Sequence, residues 1–280
     1  MEVIRSISKI KKKSLEIRNS DKTIALVPTM GSLHYGHLAL IDYAKKKADI
    51  VIVSIFVNPT QFNETEDFIH YPRNENQDLD LCLQKFVDIV FIPQEKEIIN
   101  KMSVWVYEDE ISNLYCGKFR PGHFKGVCTI VLKLFNLVQP TISIFGQKDF
   151  QQLKIIEKMV NDLNLSVDIA SIPTVREGDG LAMSSRNKLL SSTERKLSLK
   201  IYMLLKESKQ AFVNGEKDSN QLIKLFKLLL EKYDYINLEY VDIVDYYTFK
   251  KVNVINTKSI IIVAVRIGKV RLIDNIILEK

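Results

Sequence analysis

Five short apolar runs in the first two thirds of the chain constrain its fold more than any other feature. They cover residues 24–27, 50–57, 89–92, 141–145 and 167–175. The second reads Ile-Val-Ile-Val-Ser-Ile-Phe-Val without alternation, as a strand buried on both faces does. Segments with helical spacing lie between them, at 37–47, 78–86, 127–138 and 151–163. An earlier amphipathic helix is expected over 3–18, where Val3, Ile4, Ile7, Ile10, Leu15 and Ile17 are apolar. Strands alternating with helices of about 10–15 residues predict βαβ units and a parallel sheet with helices on both faces, an α/β fold. Ligands of such sheets bind beyond the carboxyl ends of the strands. Three polar clusters fall there: 29–37, 58–61 and 146–149.

The pattern then changes. All seven prolines lie at or before residue 173, and after Gly180 only Gly215 and Gly268 remain. Helices are expected over 193–212 and 220–233, and strands over 238–244, 260–265 and 270–277. The last two strands can pair antiparallel across Arg266-Ile267-Gly268-Lys269. The expected division is a domain over 1–174 and a smaller α+β domain over 175–280. Residues 176–187 between them read as a polar, flexible hinge, and 104–107 as one more strand.

The 280 residues carry a net charge of +6, with 46% apolar and 26% charged residues. That balance suits an anionic small substrate as well as a nucleic acid, and decides neither. Cys82, Cys116 and Cys128 are odd in number and form no C-x-x-C pair, which favours a reducing compartment over a disulfide framework. The N-terminus has an early acid and no apolar h-region, and no run approaches the ~20 residues of a membrane span. A cytoplasmic protein without membrane partners is expected.

The first apolar run leads into a loop with two glycines and two histidines, His34-Tyr35-Gly36-His37, and then a helix. Glycine admits close backbone approach, and a helix start offers unpaired N–H groups and positive potential to an anion. A nucleotide phosphate is the natural ligand. The Gly31 to Gly36 spacing is that of a P-loop, but His37-Leu38 follow where Lys and Ser or Thr belong. Gly178-Asp179-Gly180 lacks the third glycine of a dinucleotide fingerprint. What remains is H-x-G-H after a strand, a pattern of enzymes that attack a nucleotide α-phosphate and expel pyrophosphate. Imidazoles there donate to oxygens that gain charge in the transition state. A zinc site on His34 and His37 needs further ligands that the pattern does not supply. Mg²⁺ carried with ATP takes one or two carboxylates, for which Asp78 and Asp80 are candidates. Their other role is negative charge at a helix start. Ser184, Ser185 and Arg186 make a candidate phosphate clamp.

Read together, residues 28–37, 53–62, 66–67, 71–73, 145–152 and 176–187 resemble the pantoate–β-alanine ligases, the pantothenate synthetase family. The resemblance runs in order and spacing from about residue 20 to 190. It implies a Rossmann-like domain with a smaller C-terminal lid, usually as a homodimer. It also implies that ATP and pantoate give pantoyl adenylate and pyrophosphate, after which the amine of β-alanine displaces AMP. Position by position, it assigns ATP to Met30, Gly31, Ser32, Leu33, His34, Tyr35, Gly36 and His37. It assigns ATP likewise to Gly146, Gln147, Lys148, Asp149, Val175, Met183, Ser184, Ser185 and Arg186. His37, His34, Lys148 and Arg186 would carry the chemistry, with His37 as candidate proton donor. Asn58, Gln61 and Gln152 would hold pantoate, with Arg120 and His123 at the edge of the substrate site. Asp78 would help hold Mg²⁺.

Two other functions remain compatible with parts of the pattern. A nucleotidylyltransferase shares H-x-G-H but retains the nucleotide in its product. An RNA-binding fragment of tRNA-synthetase type predicts a clustered basic or aromatic face and a separate anticodon module, for which 280 residues leave little room. Apart from 11–13 and 45–47, which read as solvated helix faces, the lysines are scattered. No nucleic-acid partner is expected.

Overall fold

The computed structural model describes residues 1–279 and divides into two compact units. The first comprises Met1–Gln147 and Ile155–Pro173, the second Lys148–Lys154 and Thr174–Lys280.

In the first unit the elements run β1 (Glu2–Ile4), α1 (Ile7–Arg18), β2 (Ile24–Thr29), α2 (Tyr35–Ala44) and β3 (Ile50–Ile55). They continue α3 (Thr65–Ile69), α4 (Glu75–Gln84), β4 (Ile89–Phe91), α5 (Glu95–Ile98), α6 (Tyr115–Phe119), α7 (His123–Val138) and β5 (Ile142–Gly146). Helix α8 (Phe150–Asp162), whose first five residues are assigned to the second unit, and β6 (Asp168–Ile172) follow. The six strands form one sheet in the order β1-β4-β3-β2-β5-β6, parallel at every pairing. Ala25 and Val27 pack with Leu38, Leu40 and Ile41 of α2. Ile24 and Leu26, on the opposite face by alternation, are equally buried. Burial on both faces is why these strands read as unbroken apolar runs.

The strand order reverses direction between β2 and β5, the switch point where such sheets bind ligands. The two strands pair only at Ala25–Ile142 and Leu26–Ser143, then continue unpaired to Thr29 and Gly146. Pro28 lies in this unpaired stretch, where a missing N–H leaves no gap on that side of the ladder.

Two sequence expectations fail here. The residues expected to start one helix at 3 instead form β1 on the edge of β4, with Glu2 N–H donating to Asp88 C=O at 2.8 Å. Three residues are too few for periodicity to separate strand from helix. Residues 104–107 form no strand; the Val106 amide donates to the Thr129 hydroxyl at 3.0 Å instead of to a neighbouring strand.

In the second unit, α9 (Ser192–Val213) and α10 (Ser219–Leu230) precede β7 (Ile236–Asp245), β8 (Ser259–Ile267) and β9 (Val270–Leu278). The strands form an antiparallel sheet in that order, with a bulge at Leu238/Tyr240. Leu204, Leu205 and Phe212 of α9 and Leu222 and Phe226 of α10 form one core with Ile243, Ile261, Val263 and Val265. The expected antiparallel turn is present: Ile267 pairs with Val270, and Gly268 takes φ 56°. Among the described residues no helix is long and apolar enough to cross a membrane.

Candidate active site

Strand β2 delivers the chain into a turn whose polar groups are matched internally. Thr29 Oγ1 donates to Ser54 C=O at 2.8 Å and accepts from Gly31 N–H at 3.2 Å. Gly31 and Ser32 both take left-handed backbone, φ 77° and 50°. Ser32 N–H donates to Asp78 Oδ2 at 2.8 Å, and Leu33 N–H to Asp78 Oδ1 at 2.6 Å. A left-handed non-glycine residue costs on the order of 1–3 kcal/mol. Hydrogen bonds to a charged group contribute about 1.5–3 kcal/mol each, so the carboxylate suffices to hold the turn.

His34 then caps α2. Its Nδ1 accepts from Gly36 N–H at 3.1 Å, while His37 Nδ1 accepts from His34 N–H at 3.3 Å. This is a reciprocal capping box built from two imidazoles, whose rings lie 4.1 Å apart at 32°. With Nδ1 serving as acceptor in both, the neutral rings carry their protons on Nε2. Two N–H donors are thereby oriented through backbone amides.

The structure therefore redistributes the roles expected of this loop. The amides of Gly31, Ser32, Leu33, His34 and Gly36 all have acceptors within the protein. Leu33, expected at ATP, is 3% exposed in the apolar core, and Ser32 is also buried. Tyr35 is 71% exposed.

Beyond β3, Asn58 organises the next loop. It is 2% exposed, and its Oδ1 accepts from Thr60 N–H at 3.1 Å and Thr60 Oγ1 at 2.7 Å. Its Nδ2 donates to Gln61 Oε1 at 2.9 Å and Gly126 C=O at 3.2 Å. A Cβ at Gly126 would lie 2.4 Å from Thr60 C=O, so α7 needs glycine there to meet this loop. Gln61 Nε2 lies 3.0 Å from the Met30 sulfur. The Gln61 carbonyl accepts from Arg120 at 3.0 Å and His123 Nδ1 at 2.7 Å. Arg120 also donates to His123 Nε2 at 3.2 Å, which fixes the tautomer opposite to that of His34 and His37. Asn58, Arg120 and His123 thus hold Gln61 in place. At the tip of β5, a Cβ at Gly146 would meet no atom within 4 Å, and Gln147 Nε2 donates to Ser171 Oγ at 3.2 Å.

Asp78 does not fit as a direct Mg²⁺ ligand. Both its oxygens accept loop amides, and at 2% exposure it presents no face to a hydrated ion. Mg²⁺ demands near-octahedral oxygens and sheds water reluctantly. The neighbouring candidate Asp80 is exposed, and no group of three or more His, Cys, Asp or Glu among the described residues could hold a metal.

In the second unit, Lys148 Nζ lies 4.0 Å from Asp149 Oδ2, and Lys148 C=O accepts from Asn275 Nδ2 at 3.0 Å. Gln152, two residues into α8's first turn, is half-buried. Val175 C=O accepts from Met183 N–H at 3.0 Å. Ser184 Oγ accepts from Arg186 N–H at 3.3 Å, capping the short turn Ser185–Leu189 that carries Ser185 and Arg186.

The segment expected to be a flexible hinge is instead clamped. Arg176 makes paired bonds to Asp274 at 2.7 and 2.8 Å, donates to Gly180 and Asn275 carbonyls, and lies 3.6 Å from the Tyr202 ring centroid. Arg195 bridges Glu177 and Asp179 at 2.7 and 2.6 Å, and Asn187 donates to Glu177 at 2.7 Å. Charge between glycines signals a polar loop; its partners lie up to 99 residues away and leave no local trace. Asp274, Tyr202 and Arg195 were invisible to sequence reasoning for that reason.

The comparisons with known proteins cover the whole chain. A family model described as Pantoate-beta-alanine ligase matches residues 2–277. The pantothenate synthetase of Thermotoga neapolitana is 47% identical over 99% of this chain and 100% of its own. That of Fervidobacterium nodosum is 48% identical over 100% of both. A crystal structure of the Thermus thermophilus pantothenate synthetase superposes with a TM-score of 0.93 at 35% identity, covering 99% of each chain. The Francisella tularensis pantoate-beta-alanine ligase, solved with Beta-gamma ATP and beta-alanine, gives 0.80 at 37% identity, covering 100% of this chain and 98% of its own.

Proposed function

The chain belongs to the pantoate–β-alanine ligase family, and from that premise we propose that it joins pantoate to β-alanine through a pantoyl adenylate. In the first step a pantoate carboxylate oxygen attacks the α-phosphorus of ATP. The bond from that phosphorus to the bridging oxygen breaks, and pyrophosphate leaves. In the second step the β-alanine amine attacks the acyl carbon, the bond to AMP breaks, and the amine releases a proton as the amide forms.

The observation that carries this reading is the imidazole pair. His34 and His37 are held as Nε2–H donors beside the switch point of the sheet, by bonds that need no ligand. Such preorganised donors stabilise phosphate oxygens as charge builds, without reorganising during reaction. Lys148 and Arg186 lower the repulsion between an attacking carboxylate and the triphosphate. Gln61 and Gln152 bind pantoate as neutral amides, which adds no charge to compete with the cations. Open space over Gly146 allows the nucleotide to approach the backbone, and Asp149, Val175, Met183, Ser184 and Ser185 complete its site. Mg²⁺ bound with ATP would be held by the phosphates and by water, and would offset their negative charge. A cytoplasmic homodimer is the expected form.

The test is isotopic. Pantoate labelled with ¹⁸O in its carboxylate, incubated with ATP, Mg²⁺ and β-alanine, passes one ¹⁸O into AMP if the adenylate forms. Unlabelled AMP, or a product retaining the nucleotide, rejects the reading.

A further inference from the structure

The geometry points to Asp78 as a positioning residue: its carboxylate is the built-in anion that sets the left-handed turn and so aims His34 and His37. This inference rests on the reading of those imidazoles as the ATP-facing donors. Consecutive amides in such a turn form a concavity for an anion. Here the concavity is filled from within, since Ser32 and Leu33 donate to the two oxygens of one carboxylate at 2.8 and 2.6 Å. The next residue is the cap itself, His34, whose amide holds His37. The carboxylate therefore grips the two residues immediately before the catalytic pair.

Its own support is rigid. Asp78 sits in the first turn of α4, where Asn74 Oδ1 caps the Gln77 amide at 3.2 Å. One turn on, Cys82 is fully buried in the apolar cluster that also contains Leu33 and Leu38. Helix, carboxylate and loop are thus fixed to one core. The fit on the other side is equally close: a Cβ at Gly31 would lie 2.9 Å from Asp78 Oδ2 and 3.1 Å from Ile55 Cγ2. The fixed negative charge also keeps phosphate off the loop amides and leaves it to the imidazole Nε2 donors.

The experiment compares D78N, S32G, the double variant and D80N, with H37A as reference. Rate, ATP KM and the Mg²⁺ concentration for half-maximal rate are measured for each. D78N is expected to lose on the order of 10²-fold in kcat through misplaced donors, with ATP KM raised and the Mg²⁺ requirement unchanged. Glycine adopts the left-handed turn without strain, so the loss from D78N is smaller on the S32G background than on the natural one. D80N keeps the natural rate. Should D78N not fold, Gly31→Ala reads the same link by displacing the carboxylate, and the same signature is expected. Recovery of D78N or Gly31→Ala by added Mg²⁺ overturns the proposal. So do losses from D78N and S32G that simply multiply. If H37A keeps its rate, the reading of the imidazoles fails and takes this inference with it. If H37A loses its rate while D78N responds to Mg²⁺, only the assignment of Asp78 fails.

Discussion

At His34 and His37 the acceptor nitrogen is committed to backbone amides, whereas at His123 the Nδ1–H is committed to a carbonyl. The first two keep their proton on Nε2; the third secures Gln61. Replacing His37 or Lys148 by alanine is expected to cost on the order of 10²–10³ in kcat with the fold retained, the scale of losing one oxyanion donor. Steady-state kinetics beside circular dichroism checks this, and near-natural rates in both would reject the roles. Gln61→Ala is expected to raise the pantoate KM with little change in that for ATP. Because Arg120 and His123 grip the Gln61 carbonyl, H123A is expected to produce a weaker form of the same defect. An unchanged pantoate KM in both variants would count against the whole loop. In the sequence, H-x-G-H and Asn58-Pro59-Thr60-Gln61 stand out as polar clusters at strand ends, whereas the roles of Gln61, Arg120 and His123 came only from the family resemblance. Their division of labour was not legible there. Whether a polar side chain faces substrate or braces a neighbour depends on partners from distant segments, as Arg120 and Asp78 show.

At the scale of elements, α4 and α7 bury thiols that resemble reactive groups only in composition. Cys82 and Cys128 are fully buried, and burial pushes both thiols up to about 12. Nearby Asp78 adds to the effect at Cys82, and Glu108 at Cys128. The thiolate is the reactive form. Both cysteines are therefore expected to resist iodoacetamide at about pH 8 in the folded protein and to react once denaturant is added, as mass spectrometry would show. Fast labelling of the native chain would contradict the packing of either helix. The types of the longer strands and helices followed from periodicity, whereas β1 and the clamped 176–187 segment did not. A three-residue strand exists only because β4 offers an edge, and the segment is ordered by Asp274 and Arg195 from other elements.

At the scale of the molecule, each compact unit owns a core. That of the second is small, with Phe226 fully buried in the cluster that α10 shares with α9 and the antiparallel sheet. Phe226→Ala is expected to destabilise this unit by about 3–5 kcal/mol. Denaturant unfolding followed by hydrogen exchange would place the loss in residues 174–279 and leave the parallel sheet's amides protected. Uniform loss across both units would show instead that they unfold as one.

The sequence by itself determined the parallel α/β sheet, the smaller antiparallel unit and the loops that carry the polar chemistry. Those properties follow from local periodicity and from where strands end, which short stretches of chain encode. The tertiary structure alone decided that the amides after β2 belong to Asp78 and the caps, that Asn58 and His123 serve Gln61, and that the 176–187 stretch is clamped. A buried polar group must find a partner. Which partner it finds is fixed by segments brought together only when the chain folds.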